Sequence, residues 1–144
     1  MKKLENSLGF LITRAARSMK RALNAQLAEY NITASQYIVL KRLWEGNELS
    51  LSELGKSLYF DNPTITGIID RMEKENLAKR KKDKNDRRVI KIVLTEKGKR
   101  LEDILEKEAE TINTMACSHL DKEETEHLRS LLIEVWKQMA SLYS

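Results

Sequence analysis

Nine of the twenty residues in KRKKDKNDRRVIKIVLTEKG, positions 79–98, are lysine or arginine. A basic run by itself is usually a solvated face. This one carries Asp86 two positions before Arg88 and continues without a break into apolar residues. Lys81, Lys82 and Lys84 around it suit phosphate contacts. Upstream, DNPTITGIIDRMEKENLAKR groups a second set of reactive types at positions 61–80. Asn62, Pro63, Thr64, Thr66, Gly67 and Arg71 fall outside the Ile65, Ile68, Ile69, Met72 stripe. Hydroxyls and amides meet phosphates or base edges, threonine methyls meet thymine methyls, and arginine reads guanine. Ser50 and Ser52, near the start of a preceding short helix, are further candidates for phosphates.

The elements that must hold these residues follow from periodicity and capping. Apolar positions from Leu4 to Leu27 recur at helical spacing and predict a helix over 4–29, with Arg14, Arg17, Lys20 and Arg21 on its other faces. Thr33 with Gln36 is a capping box for a helix over about 34–45. Ser50 with Glu53 repeats that device before a short helix around 51–58. Asn62 is the expected N-cap of the next helix, with Pro63 at its first position. Gly67 in mid-helix costs roughly 1 kcal/mol against alanine, sensible where something must approach the helix closely. Residues 77–82 and 88–94, separated by a turn-rich stretch, read as one hairpin. Thr95 should cap a long helix over about 96–116, and Asp121 with Glu124 a last one striped by Leu128, Leu131, Leu132, Val135, Met139 and Leu142. The chain reads as a single domain over residues 1–144.

Totals narrow the function. The net charge of +4 conceals an asymmetry: residues 75–100 hold eleven basic and four acidic side chains, residues 101–144 four and ten. A localised basic segment points to a localised polyanion contact. One cysteine excludes an internal disulfide framework and suits a reducing compartment. No stretch reaches the ~18 apolar residues of a membrane span, so a cytoplasmic protein is expected. No nucleophile lies by a general base in a recognisable motif and no glycine-rich phosphate loop occurs, so no enzyme and no cofactor is expected.

Two short-linked helices followed by a basic hairpin make a winged helix-turn-helix. One helix would enter the major groove and the hairpin tip the minor groove. From about Ile32 to Gly98 the chain resembles the MarR (multiple antibiotic resistance regulator) family. The resemblance is carried by ITASQYIVL, LSLSELGKSL, NPTITGIIDRMEKENLAKR and DRRVIKIVLTEKG, the last similar to the family's Asp-x-Arg wing signature and Val-x-Leu-Thr-x-x-Gly, with Ile92 in place of the Val.

The resemblance implies a fold that is mainly α with a small β-hairpin (α+β). A winged helix-turn-helix lobe at 32–98 would be flanked by dimerisation helices at 1–30 and 99–144. It implies a homodimeric repressor of double-stranded DNA that reads a near-palindromic operator. Arg88 would enter the minor groove, Asp86 would orient it, and Arg87 would touch phosphate. Asp70, a carboxylate facing DNA, would brace Arg71 or a wing arginine. Many family members are released by small aromatic acids or phenols held between the dimerisation helices and the lobe. Arg14, Arg17, Tyr37 and Trp44 are candidates for such a crevice, against the plainer expectation that the aromatics are core and the arginines solvated. Oxidation-sensing members carry a cysteine near the first helix, where this chain has Ala15 and Ala16, so Cys117 is expected to be inert. Cys117, His119 and His127 do not match the metal-sensing positions, and no metal is expected. A scaffold that uses its winged helix for protein contacts is the competing reading.

Overall fold

The computed structural model describes residues 3–46 and 48–143. Helix α1 (Leu8–Leu27) follows a short turn of 3-10 helix and passes into another at Ala28–Tyr30. Asn31 stops it in the left-handed conformation (φ 57°), which asparagine tolerates better than most residues. Helix α2 (Ala34–Trp44) then starts with the full Thr33–Gln36 capping box, and Asn24 of α1 reaches across to accept the Ala34 N–H at 2.7 Å. Strand β1 (Leu49–Ser50) leads into α3 (Leu51–Ser57), where Ser50 accepts the Glu53 N–H at 3.0 Å. Here only the serine half of the expected capping box forms among the hydrogen bonds seen.

Helix α4 (Asn62–Lys74) corrects the sequence reading at its start. The N-cap is Asp61, whose Oδ1 accepts the Thr64 N–H at 2.8 Å. Asn62 is therefore the first helical residue and Pro63 the second, where its missing N–H still costs nothing. Asp and Asn are near-equal caps, so type alone does not separate positions 61 and 62. Ile65, Ile68, Ile69 and Met72 are all buried, as the stripe requires.

Strands β2 (Ala78–Lys82) and β3 (Ile90–Leu94) form the expected hairpin, with Ala78 opposite Leu94, Arg80 opposite Ile92 and Lys82 opposite Ile90. The short β1 adds a third strand that the sequence reading misses, pairing Leu49 with Ile92, so the sheet order is β1-β3-β2. Two residues are too few to show an alternation. Leu27, Leu40, Leu54, Ile65, Ile69, Met72, Leu77, Ile92 and Leu105 form one cluster with no exposed surface. Each such side chain contributes about 1.5–3 kcal/mol relative to an exposed one.

The helix expected over 96–116 is two helices, α5 (Glu96–Arg100) and α6 (Glu102–Ala116), with Leu101 between them. Lys97, Lys99 and Arg100 close the first, and Glu102 and Asp103 open the second. That order suits the negative end of one helix dipole and the positive end of the next. Helix α7 (Lys122–Ser141) begins with the predicted Asp121–Glu124 capping box. The backbone divides into two compact units, 1–109 and 110–144.

Candidate nucleic-acid interface

The two reactive sets lie on neighbouring elements of the first unit. On α4 the exposed surface is made by Asn62, Pro63, Thr64, Asp70, Arg71 and Lys74, with Thr66 and Gly67 partly exposed. A Cβ placed on Gly67 would meet nothing within 4 Å, so this part of the helix opens directly to solvent. Ser52 is exposed, whereas Ser50 is buried with its hydroxyl oxygen occupied as the α3 cap. Thr64 donors hold the Asp61 carboxyl below its ordinary value, by a side-chain and then a backbone hydrogen bond.

The wing is a stiff loop. Asp83 N–H donates to the Val89 carbonyl at 3.0 Å, and Val89 N–H to the Asp86 carbonyl at 3.0 Å. Asp86 N–H donates to the Asp83 carboxylate at 3.1 Å. Inside this loop Asp86 accepts three bonds from Arg88: the backbone N–H at 3.1 Å, Nε at 3.1 Å and Nη2 at 3.3 Å. Arg88's side-chain and backbone hydrogen bonds, in that order, hold the Asp86 carboxyl below its ordinary value of 3.8. The Arg88 side chain is nevertheless 92% exposed. A surface pair of this kind adds little stability. Its effect is to fix the direction of the guanidinium fork while leaving it open to solvent. Lys81, Lys82, Lys84 and Arg87 are exposed around it.

Of the two partners expected for Asp70, Arg71 or a wing arginine, the structure has the second. Arg80 of β2 places Nη2 2.8 Å from the Asp70 carboxylate, and its Nη1 contacts Glu73 one turn further along α4. The Arg80 backbone N–H also donates to Glu73 at 3.2 Å. The acidic flank of the helix is thus tied to the root of the wing. Arg71 stands on the other flank and, with Lys20, Asn24, Thr33 and Ser35, lines an open cleft of about 730 Å³.

The wing is closed at its base by the TEKG tetrapeptide. Thr95 Oγ1 donates to the Asn76 carbonyl at 2.7 Å and accepts the Gly98 N–H at 3.1 Å. A Cβ on Gly98 would collide with the Leu77 carbonyl oxygen, so this close approach requires glycine. Trp44 Nε1 donates to the Gly98 carbonyl at 2.9 Å. Tyr37 is buried, packs edge-on against Trp44 at 6.1 Å between ring centroids, and donates to Glu106 at 3.2 Å. Arg14 and Arg17 are exposed, Arg14 over the Phe10 ring at 5.9 Å. None of these four candidates lines the cleft beside Arg71. Cys117 is partly exposed after α6. Among the described residues no three His, Cys, Asp or Glu gather as a metal site, and no helix is long and apolar enough to cross a membrane.

A helix-turn-helix with a small polar helix face beside a basic antiparallel wing defines a winged-helix DNA-binding protein. The chain belongs to the MarR family, which matches residues 32–90. It is 35% identical to the organic hydroperoxide resistance transcriptional regulator of Bacillus subtilis (strain 168), over 98% of this chain and 92% of that protein. Its fold is similar to that of wild-type MarR from E. coli in the apo form, with a TM-score of 0.76, 27% identity, and 90% and 96% of the two chains covered. It is similar also to reduced AbfR bound to DNA, with a TM-score of 0.80, 27% identity, and 98% and 95% covered. The chain is a MarR-family transcriptional regulator, and the relatives it matches are regulators of transcription and not enzymes.

Sequence reasoning missed Asp61, Asp83, Glu73 and Arg80. The Asp83/Asp86 and Asp70/Glu73 pairs are each spaced by three, the spacing of a turn clasp and of one helix flank. Arg80 carries no local signal, because its partners are seven and ten positions away.

Proposed function

We propose that this chain represses transcription by binding a near-palindromic operator as a homodimer. Asn62, Pro63, Thr64, Thr66 and Gly67 are presented to the major groove and Arg88 to the minor groove. Ser52, Lys81, Lys82, Lys84 and Arg87 contact phosphates. Arg71, on the flank of α4, reaches the backbone at the groove edge more readily than a base at its floor. Ser50 supports the interface as the α3 cap. The observation that carries the reading is the Asp86–Arg88 clasp: an almost fully exposed arginine held in direction at the tip of a stiff loop. A narrow minor groove concentrates negative potential and takes a single aimed arginine.

The homodimer is supported by apolar surface outside the 32–98 lobe. Leu8 and Leu11 of α1 and Leu128, Leu131, Leu132, Val135, Trp136 and Met139 of α7 are exposed. Two copies interleaving residues 1–30 and 99–144 would bury them and space two lobes for two half-sites. The effector is a small aromatic acid or phenol, as the family resemblance implies. Arg14 and Arg17 are exposed and can offer guanidinium groups to its carboxylate, while Tyr37 and Trp44 already use their polar atoms on Glu106 and the Gly98 carbonyl and would meet it through ring surface.

Selection of duplexes from a random pool by the full chain, followed by gel shift at several salt concentrations, tests this. A palindromic motif bound with a steep negative salt slope is expected, the slope shrinking when Lys82 or Lys84 is neutralised. Equal retention of all duplexes would contradict it.

A further inference from the structure

We infer that Arg80 is a positioning residue for operator discrimination: clamped by Asp70 and Glu73, it locks the wing to α4 so that helix and wing engage DNA as one unit. The inference rests on the operator-binding reading above. Three links join one residue of β2 to two positions a turn apart on α4. They are Nη2 to Asp70 at 2.8 Å, Nη1 to Glu73, and the backbone N–H to Glu73 at 3.2 Å. Because backbone and side chain are both held, the strand can neither slide along the helix nor pivot against it. The Arg80 side chain is only 27% exposed, so it is not itself offered to solvent as Arg88 is.

Charge cancellation alone does not account for this arrangement. Lys79, Lys81 and Lys82 already surround the site with positive charge. What an arginine adds is a planar fork that fixes direction, which a lysine point charge does not. Direction matters here because the wing is a lever. Its tip lies on the order of 10 Å beyond Arg80 at ~3.3 Å rise per residue. A tilt of about 15° at the root would move the tip by roughly 2.5 Å, outside hydrogen-bond tolerance. Arg88, aimed by Asp86, would then be aimed at the wrong place.

The test uses the full chain and a duplex selected from a random pool by the wild-type protein. A triple variant, Arg80→Met with Asp70→Asn and Glu73→Gln, removes the clamp and makes the lobe one charge more positive. If Arg80 only masked charge, this variant would bind the selected duplex at least as well as wild type. Positioning predicts that the ratio of selected-duplex to random-duplex affinity falls about tenfold, within the range of coupled neighbours. It further predicts that adding Arg88→Ala costs much less in the triple variant than in wild type. An unchanged ratio together with a full Arg88→Ala effect overturns the inference. Should the triple variant lose its folded circular-dichroism signal, Arg80→Lys alone carries the same measurement, with the same fall expected and an unchanged ratio decisive against it. A wild-type protein that selects no duplex overturns the operator-binding reading itself, a different outcome from either.

Discussion

Helices α4 and α7 both carry an apolar stripe at helical spacing and treat it in opposite ways. On α4, Ile65, Ile68, Ile69 and Met72 are at most 2% exposed; on α7, Leu128, Leu131, Leu132, Val135 and Met139 are between 38 and 51% exposed. Their charges diverge as well, since the basic excess lies at residues 75–100 and the acidic excess at 101–144. Periodicity marks a face that wants cover without saying what covers it. The α4 stripe is covered within residues 1–109, by Leu27, α2, α3, the sheet and Leu105. Helix α7 keeps large apolar groups in contact with water, which a stable isolated protein tolerates only sparingly. Helix α4 buries its stripe and presents a polar face, whereas α7 is left with an apolar face, the one that the proposed homodimer would cover.

The contrast can be broken first at Ile69. Ile69→Ala leaves a cavity in the closed lobe and should cost about 2–5 kcal/mol at every protein concentration, read by urea unfolding. Leu132→Glu should instead act through association. The wild-type melting temperature should rise with protein concentration and that of the variant should not. Equal behaviour of the two variants would erase the distinction between the helices.

Gly98→Ala comes next, at about 1–3 kcal/mol, because the new methyl overpacks against the Leu77 carbonyl. Its melting temperature should fall, and a neutral result would show that the base of the wing has slack. Gly67→Ala should go the other way. With open space around it, the substitution stabilises α4 by roughly 0.5–1 kcal/mol. Operator affinity should nevertheless drop, because the face that gains the methyl is the one proposed to meet DNA. Gain of both stability and affinity would remove α4 from the interface.

The smallest effect is electrostatic. The Asp86 carboxyl is held below 3.8, so its charged form is favoured in the fold. Its contribution is therefore complete above that ordinary value and is lost as pH falls through the lowered one. Carbon-detected NMR titration should find Asp86 titrating below typical aspartates, and Arg88→Ala should return it towards 3.8. An Asp86 that titrates normally in the wild type would mean the clasp is open in solution.

Much of this architecture is legible in the residues, and the limits have physical causes. Helices, most caps and the hairpin follow from local patterns that each element satisfies by itself, such as Thr33–Gln36 and Asp121–Glu124. The Asp86–Arg88 clasp is readable too, because two positions separate its partners. What escapes is decided at longer range or by near-ties. Asp61 and Asn62 compete as caps with almost equal propensity. The break at Leu101 has no glycine or proline to announce it. Strand β1 exists only because β3 offers it a partner. The Arg80 clamp spans two elements, and no spacing rule connects residues 70, 73 and 80.

The most direct measurement of the central claim is operator affinity of Arg88→Ala against wild type at one fixed salt concentration, beside affinity for a random duplex. An aimed minor-groove arginine predicts a loss of about 1–3 kcal/mol on the operator and a much smaller loss on the random duplex. Equal losses on both duplexes, or none on either, would contradict it.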